Sequence, residues 1–190
     1  MIKIAILGDI GSGKSYVAKN FGYPVFNADE EVSKLYRKDK IIFYKLKKKL
    51  PKYFTKFPIT KREVSIAILA NNSNLKKIIQ IVHRKIRNKM IVFLKKNRKK
   101  KIVILDIPLF LENKINKKGD ILIFVQSNKT EVAKRLKKRK NFNQEIYSKF
   151  KNIQLPLDYK KKKSNFIIKN NFKNKSIKKY VNNILEQIIV

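Results

Sequence analysis

The chain has 190 residues, 43% of them hydrophobic, and its 48 Lys and Arg against 13 Asp and Glu give a formal net charge of +35; this length predicts one compact domain with room for an inserted subdomain. There is no Cys, which excludes disulfides and thiolate metal sites and fits a reducing compartment; no apolar run reaches membrane-spanning length and no signal-peptide pattern opens the chain, so a cytoplasmic protein without a membrane partner is expected. The lysines are spread along the whole length, in runs such as 47–49, 99–101 and 160–163, with abundant Ile and Asn and no nucleic-acid motif, so compositional drift explains the charge and no specific nucleic-acid partner is expected.

Taken in chain order, residues 2–7 form an apolar run that predicts a buried strand, a helix follows from about Lys14, and a short strand is centred near Val25. A largely helical basic stretch then runs to about Lys96. Within it Thr60 and Glu63 have capping-box spacing ahead of Val64, Ile66, Ala67, Ile68 and Leu69, which marks a helix start. Leu75, Ile78, Ile79, Val82, Ile86, Met90 and Phe93 recur at three- and four-residue spacing and make one apolar stripe, which is core. Strands return at 102–106, 121–125 and 166–168. The plan is α/β, with the helical stretch inserted between strands and packed on the sheet.

The strongest motif is Gly8-Asp9-Ile10-Gly11-Ser12-Gly13-Lys14-Ser15. It matches GxxxxGK[ST] in full and stands between a predicted strand and a predicted helix. Its glycines let the backbone curl so that successive N–H groups face phosphate oxygens, and the helix N-terminus adds its dipole. Lys14 reaches the β/γ-phosphates and the Ser15 hydroxyl takes magnesium. Gly8, Gly11, Ser12, Gly13, Lys14, Ser15 and the following Tyr16 are the candidate ATP-binding residues. No Asn-Lys-x-Asp signature follows a later strand, which argues against a GTPase, and the chain is short for a helicase core; a small-molecule kinase remains.

Further motifs extend this reading. The segment Phe21-Gly22-Tyr23-Pro24-Val25-Phe26-Asn27-Ala28-Asp29 ends a short strand, Asp106-Ile107-Pro108-Leu109-Phe110-Leu111-Glu112 ends another, and Arg135-Leu136-Lys137-Lys138-Arg139 lies on a helix predicted from near Thr130. With Gln154 and Asn170, these resemble the dephospho-CoA kinase family from one end of the chain to the other. The resemblance implies a P-loop kinase with a five-stranded parallel sheet flanked by helices, a helical substrate region at about 37–96 and a lid at about 127–155, all in a single domain 1–190. It implies phosphoryl transfer from ATP, with Mg2+, to the ribose 3′-hydroxyl of dephospho-CoA, by a monomer or weak homo-oligomer.

Asp29, just past a strand expected beside the loop, is the candidate base; its alternative role is to N-cap a helix over 30–36. Asp106 ends an apolar strand, the position from which a carboxylate reaches the magnesium region, and is a further candidate metal ligand; it and Pro108 are also candidate substrate contacts. Arg135 and Arg139, four apart on the predicted helix, project from one face and, in the resembling family, belong to a mobile lid that clamps phosphate; a solvated helix face is the alternative. His83 is the lone histidine, assigned at most a place near the acceptor pocket, though a histidine on an apolar helix is more often structural.

The chain departs from the family pattern in three places. Leu7 and Asp9 replace threonine and glycine at the loop head, Asn27 replaces the first Asp of an Asp-x-Asp element, and Arg84 replaces the proline after His83. Asp9 is expected to weaken ATP binding unless it turns outward or joins the magnesium shell, and Arg84 to loosen its helix. Two other readings stay open: a nucleoside or nucleotide kinase of the same fold, and an RNA-associated P-loop ATPase.

Overall fold

Four consecutive apolar residues, Ile4, Ala5, Ile6 and Leu7, are all buried in the first strand of the computed structural model, β1 (Ile2–Gly8). A strand shielded on both faces needs no polar alternation, the pattern of a parallel sheet covered by helices. The structure describes residues 1–140, 142–172 and 174–189; Asn141, within the expected lid, lies outside the described residues.

After β1 come α1 (Lys14–Asn20), β2 (Val25–Asn27), α2 (Ala28–Lys38), α3 (Lys40–Lys49), α4 (Lys61–Ala70), α5 (Asn72–Lys96), β3 (Ile102–Asp106), β4 (Ile121–Ser127), α6 (Lys129–Lys137), α7 (Gln144–Asn152), α8 (Leu157–Lys162), β5 (Phe166–Asn170) and α9 (Asn174–Ile188). The strands form one parallel five-stranded sheet in the order β2-β3-β1-β4-β5. Both β4 and β5 run two residues past their apolar runs, because polar side chains at their carboxyl ends stay in the ladder. Ser127 pairs in register with Asn170, and Asn27 with Asp106.

The chain divides into two compact units. The first comprises residues 1–27, 96–142 and 153–190 and holds the whole sheet. One face packs Ile4, Ile6, Ile102, Ile104, Ile123, Val125 and Ile168 against Val17 and Ala18 of α1 and Ile177, Val181 and Ile184 of α9. The spacing of those α9 residues is helical, and full burial of each contributes about 1.5–3 kcal/mol. That outweighs the cost of poor helix formers such as Asn182 and Asn183, which is about 0.7 kcal/mol each. After β1 the chain fills the β2, β3 side of the sheet and then crosses to β4 and β5. The carboxyl end of β1 is therefore where strand order reverses, the place an open α/β sheet offers to a ligand.

The second unit, residues 28–95 and 143–152, is helical. Helix α2 starts at Ala28, with Asp29, Glu30 and Glu31 in its first turn. Asp29 is thus inside the helix and not its N-cap, where the sequence had offered it that role; three carboxylates still complement the helix dipole there. The predicted capping box opens α4: Thr60 Oγ1 accepts from the Glu63 amide at 3.2 Å, and Glu63 Oε2 accepts from the Thr60 amide at 2.7 Å. On α5 the stripe Leu75, Ile78, Val82, Ile86 and Met90 is buried, while Ile79 and Phe93 sit partly exposed at its edges. Arg84, expected to loosen this helix, stands inside an unbroken run of 25 residues. It keeps the backbone N–H that a proline would remove.

Candidate active site

The turn from β1 into α1 is wedged against its neighbours. A Cβ on Gly8 would lie 2.7 Å from the Val125 carbonyl oxygen and 2.9 Å from Ser12 Oγ, and a Cβ on Gly13 would collide with Asn170 Nδ2. Gly13 also has φ +89, in the left-handed region that side chains other than glycine rarely adopt. Both glycines are therefore required for the loop to sit this close to β4 and β5. Lys14 folds back over the loop, its Nζ donating to the Asp9 carbonyl at 2.6 Å and to that of Gly8 at 3.3 Å. Asp9 Oδ1 accepts from the Ile10 amide at 2.7 Å, so the charge the sequence brought to the loop head is bound to the loop's own backbone.

On the β3 side, register sets a second group beside the loop. Asn27 and Asp106 are paired across the ends of β2 and β3; Asn27 Nδ2 donates to Asp106 Oδ2 at 2.7 Å and lies 3.5 Å from Ser15 Oγ. Asp106 is only 3% exposed. Asn27 thus links a buried carboxylate to the loop hydroxyl, and both of those are hard oxygen donors of the kind magnesium takes alongside nucleotide phosphates. Pro108, one residue past Ile107, is partly exposed in the turn that follows.

On the β5 side, the Arg135 guanidinium lies over the Phe172 ring, 4.3 Å from its centroid. Helix α6 ends at Lys137, with Lys138 as its cap, and the Arg139 amide bonds Leu136 O at 3.0 Å. The expectation that Arg135 and Arg139 share one helix face is corrected here, because the last turn tightens and Arg139 lies beyond it. Both arginines are exposed, as is Tyr16 at 38%. Farther along, Lys160 is 1% exposed and its Nζ pairs with Glu112 Oε1 at 2.6 Å, with Gln154 Oε1 at 3.4 Å; the same Glu112 oxygen accepts from the Leu155 amide at 3.0 Å. Glu112 and Gln154, two motif residues the sequence left without a role, meet through this lysine.

The remaining candidates lie in the helical unit. Asp29 is exposed in the first turn of α2, and its carbonyl accepts from Ser33 Oγ at 3.0 Å. His83 Nε2 is buried without a hydrogen-bond partner among the described residues. Burial and the Arg87 charge hold this imidazole below its ordinary pKa, which favours its neutral form. A separate cleft of about 680 Å³ lies between α3 and α5, lined by Ile41, Lys45, Lys49, Ile81 and Arg84 among others, and His83 is not part of it. The first unit alone therefore gathers the loop, Ser15 and Asp106. Sequence reasoning missed the site roles of Asn27 and Ser127; the available signals were their places at the ends of strands and, for Asn27, its position in the Asp-x-Asp-like element, and the register reveals what they touch.

Comparison with known proteins agrees with this geometry. Residues 2–178 match the family model for dephospho-CoA kinase (CoaE). A dephospho-CoA kinase of Wolbachia pipientis wMel is 32% identical over 190 residues, covering 97% of each chain. A solved Thermus thermophilus protein shares the fold with TM-score 0.81 at 23% identity, covering 100% of this chain and 98% of its own. The dephospho-CoA kinase from Campylobacter jejuni does so at TM-score 0.64 and 21% identity, covering 98% and 96%. No helix among the described residues is long and apolar enough to cross a membrane. With a matched model spanning nearly the whole chain and a loop, strand ends and sheet order that fit it, this chain belongs to the dephospho-CoA kinase family, kinases that transfer a phosphoryl group from ATP to an alcohol group.

Proposed function

We propose that the chain binds MgATP on the loop of residues 8–15, together with Tyr16, and transfers the γ-phosphoryl group to the ribose 3′-hydroxyl of dephospho-CoA. The observation that carries this reading is the in-register pair Asn27 and Asp106 standing beside Ser15 of a complete phosphate-binding loop. The loop amides and the α1 N-terminus hold the polyphosphate, and Lys14 exchanges its backbone carbonyls for phosphate oxygens. Ser15 and Asp106 are the residues that would hold magnesium, which neutralises charge on the β- and γ-phosphates when bound.

Asp29 follows Asn27 by two residues, a tether short enough to carry a carboxylate from the strand end toward the reacting hydroxyl. It accepts the acceptor's proton as its oxygen attacks, and departing ADP carries the electron pair of the broken bond. Arg135 and Arg139 supply permanent positive charge to the transferring group from a lid at about 127–155, and Arg135 leaves the Phe172 ring to do so. The helical region at about 37–96 receives the acceptor, with His83, Asp106 and Pro108 on its path; a neutral His83 acts there as a hydrogen-bonding group. The protein works in the cytoplasm as a monomer or weak homo-oligomer.

The test is ADP release by the purified protein with MgATP and dephospho-CoA, beside adenosine and AMP as acceptors and beside Asp29→Asn. Turnover confined to dephospho-CoA and reduced at least a hundredfold in the variant is expected. Turnover with adenosine or AMP in its place would reassign the acceptor, and an undiminished variant would remove Asp29 from the chemistry.

A further inference from the structure

Two side chains far from the loop in sequence converge on one of its carbonyl oxygens. Asn170 Nδ2 donates to Ser12 O at 2.8 Å, and Ser127 Oγ donates to the same oxygen at 2.9 Å. They arrive together because Ser127 and Asn170 are register partners at the ends of β4 and β5. Asn170 is 3% exposed, and its amide can face only one way, since Oδ1 accepts from the Phe172 amide at 2.8 Å. Rotating it would set two N–H groups against each other on one side and two oxygens on the other, in a buried place where such a mismatch is costly. Phe172 has φ 62, and its ring lies 3.5 Å from where a Gly13 Cβ would be, so the segment after β5 turns directly behind the loop.

The Ser12 carbonyl belongs to the same planar trans peptide as the Gly13 N–H, and the two point in opposite directions. A carbonyl gripped from behind by two donors therefore aims the Gly13 N–H into the concave side of the loop. That N–H makes no backbone hydrogen bond in the turns and loops of the described residues. In the flipped peptide the carbonyl would face the polyphosphate and repel it, while the N–H would confront the Asn170 Nδ2 donor and both donors would lose the Ser12 carbonyl as acceptor. We infer that Asn170 and Ser127 are positioning residues of the nucleotide site: they latch the Ser12–Gly13 peptide so that the Gly13 amide is already presented to phosphate before nucleotide arrives. Glycine at position 13 and asparagine at position 170 form one device, because a side chain at 13 would displace the Asn170 amide. The energetic effect is preorganisation, in which apparent affinity scales with the fraction of protein holding the competent peptide.

This inference rests on the loop being the nucleotide site, and the experiment separates the two. MgADP binding is measured by calorimetry for the wild type and for Asn170→Ala, Asn170→Asp, Ser127→Ala and Ser127→Thr, each confirmed folded by its thermal melt. Asn170→Ala and Ser127→Ala are expected to weaken binding roughly tenfold each, and Ser127→Thr, which keeps the hydroxyl, to restore it. Asn170→Asp carries the decisive signature. Its ionised carboxylate cannot donate to Ser12 O, whereas the neutral acid can, so its deficit relative to wild type should be roughly a hundredfold at pH 7.5 and shrink severalfold at pH 5.5. In 15N-labelled protein the Gly13 amide of the wild type should shift downfield on MgADP binding, and that shift should shrink in Asn170→Ala. Wild-type binding with unaffected alanine variants, or an Asn170→Asp deficit independent of pH, overturns the latch alone. A wild type that binds no MgADP takes down the nucleotide reading and the latch with it.

Discussion

Lys160→Met offers a sharp test of the packing in the sheet unit. Lys160 is 1% exposed and its ammonium is paired at 2.6 Å with Glu112, itself 10% exposed. Removing the lysine leaves a carboxylate in a place with little water, with the Leu155 amide as its remaining hydrogen-bond donor among the described residues. Breaking a buried pair from one side costs about 3–5 kcal/mol, because the orphaned charge retains its desolvation penalty. An unfolding entropy of about 2.1 cal/mol/K per residue gives roughly 0.4 kcal/mol/K for this chain. The expected fall in Tm is then about 8–12 °C, with a matching drop in urea midpoint at unchanged slope. The double variant Lys160→Met/Glu112→Leu removes both charges and keeps comparable volume, so it should recover most of the loss. A Lys160→Met shift under about 2 °C, or a double variant less stable than the single, would refute the reasoning that burial of the unpaired carboxylate dominates.

Three further outcomes follow from named contacts. Asn27→Asp sets two carboxylates 2.7 Å apart at a partly buried site; their repulsion is about 6 kcal/mol at an effective dielectric of 20. One of them should keep its proton near neutral pH without a cation, so Tm of the variant relative to wild type should fall as pH rises from 6 to 9 and recover with millimolar Mg2+, and a flat difference would remove Asn27 and Asp106 from the metal region. Thr60→Ala should cost about 1 kcal/mol by urea unfolding through loss of the α4 cap, with Thr60→Ser near wild type. Acid should destabilise the helical unit in two windows. His83 is depressed by burial and Arg87, so its contribution is complete above its ordinary value of 6.5 and is lost as pH falls through the lower folded value. Burial pushes the Asp39 carboxyl up, but the Ile42 amide and Lys85 outweigh it, and Lys34 and Lys89 likewise leave Glu31 below its ordinary value; their contribution is lost only as pH falls below about 4. Tm against pH should show both limbs, with Lys85→Met flattening the lower one.

Local chemistry made much of this protein legible in the sequence. The apolar runs at 2–7 and 102–106 were consistent with strands shielded on both faces, the Thr60 and Glu63 pair fixed where α4 begins, and the stripe from Leu75 to Met90 identified its buried face before any packing was known. The phosphate loop was equally readable, since a left-handed turn and close backbone approach demand glycine at fixed offsets whatever surrounds them. Helix ends were harder. Whether Asp29 caps α2 or lies inside it, and whether Arg139 continues α6, turn on two residues of boundary that propensity does not resolve.

What the sequence determined by itself was therefore the five strands, the clearly patterned helices and the phosphate-binding turn, because these arise from interactions a few residues long, whereas α9 left no reading of its own. Only the tertiary structure decided what stands around that turn: Asn27 against Asp106 across 79 residues, Ser127 across 115 and Asn170 across 158, the last two on one carbonyl. Those partners are set by strand order and register, and a parallel sheet brings together the carboxyl ends of strands whose separation along the chain leaves no periodic trace.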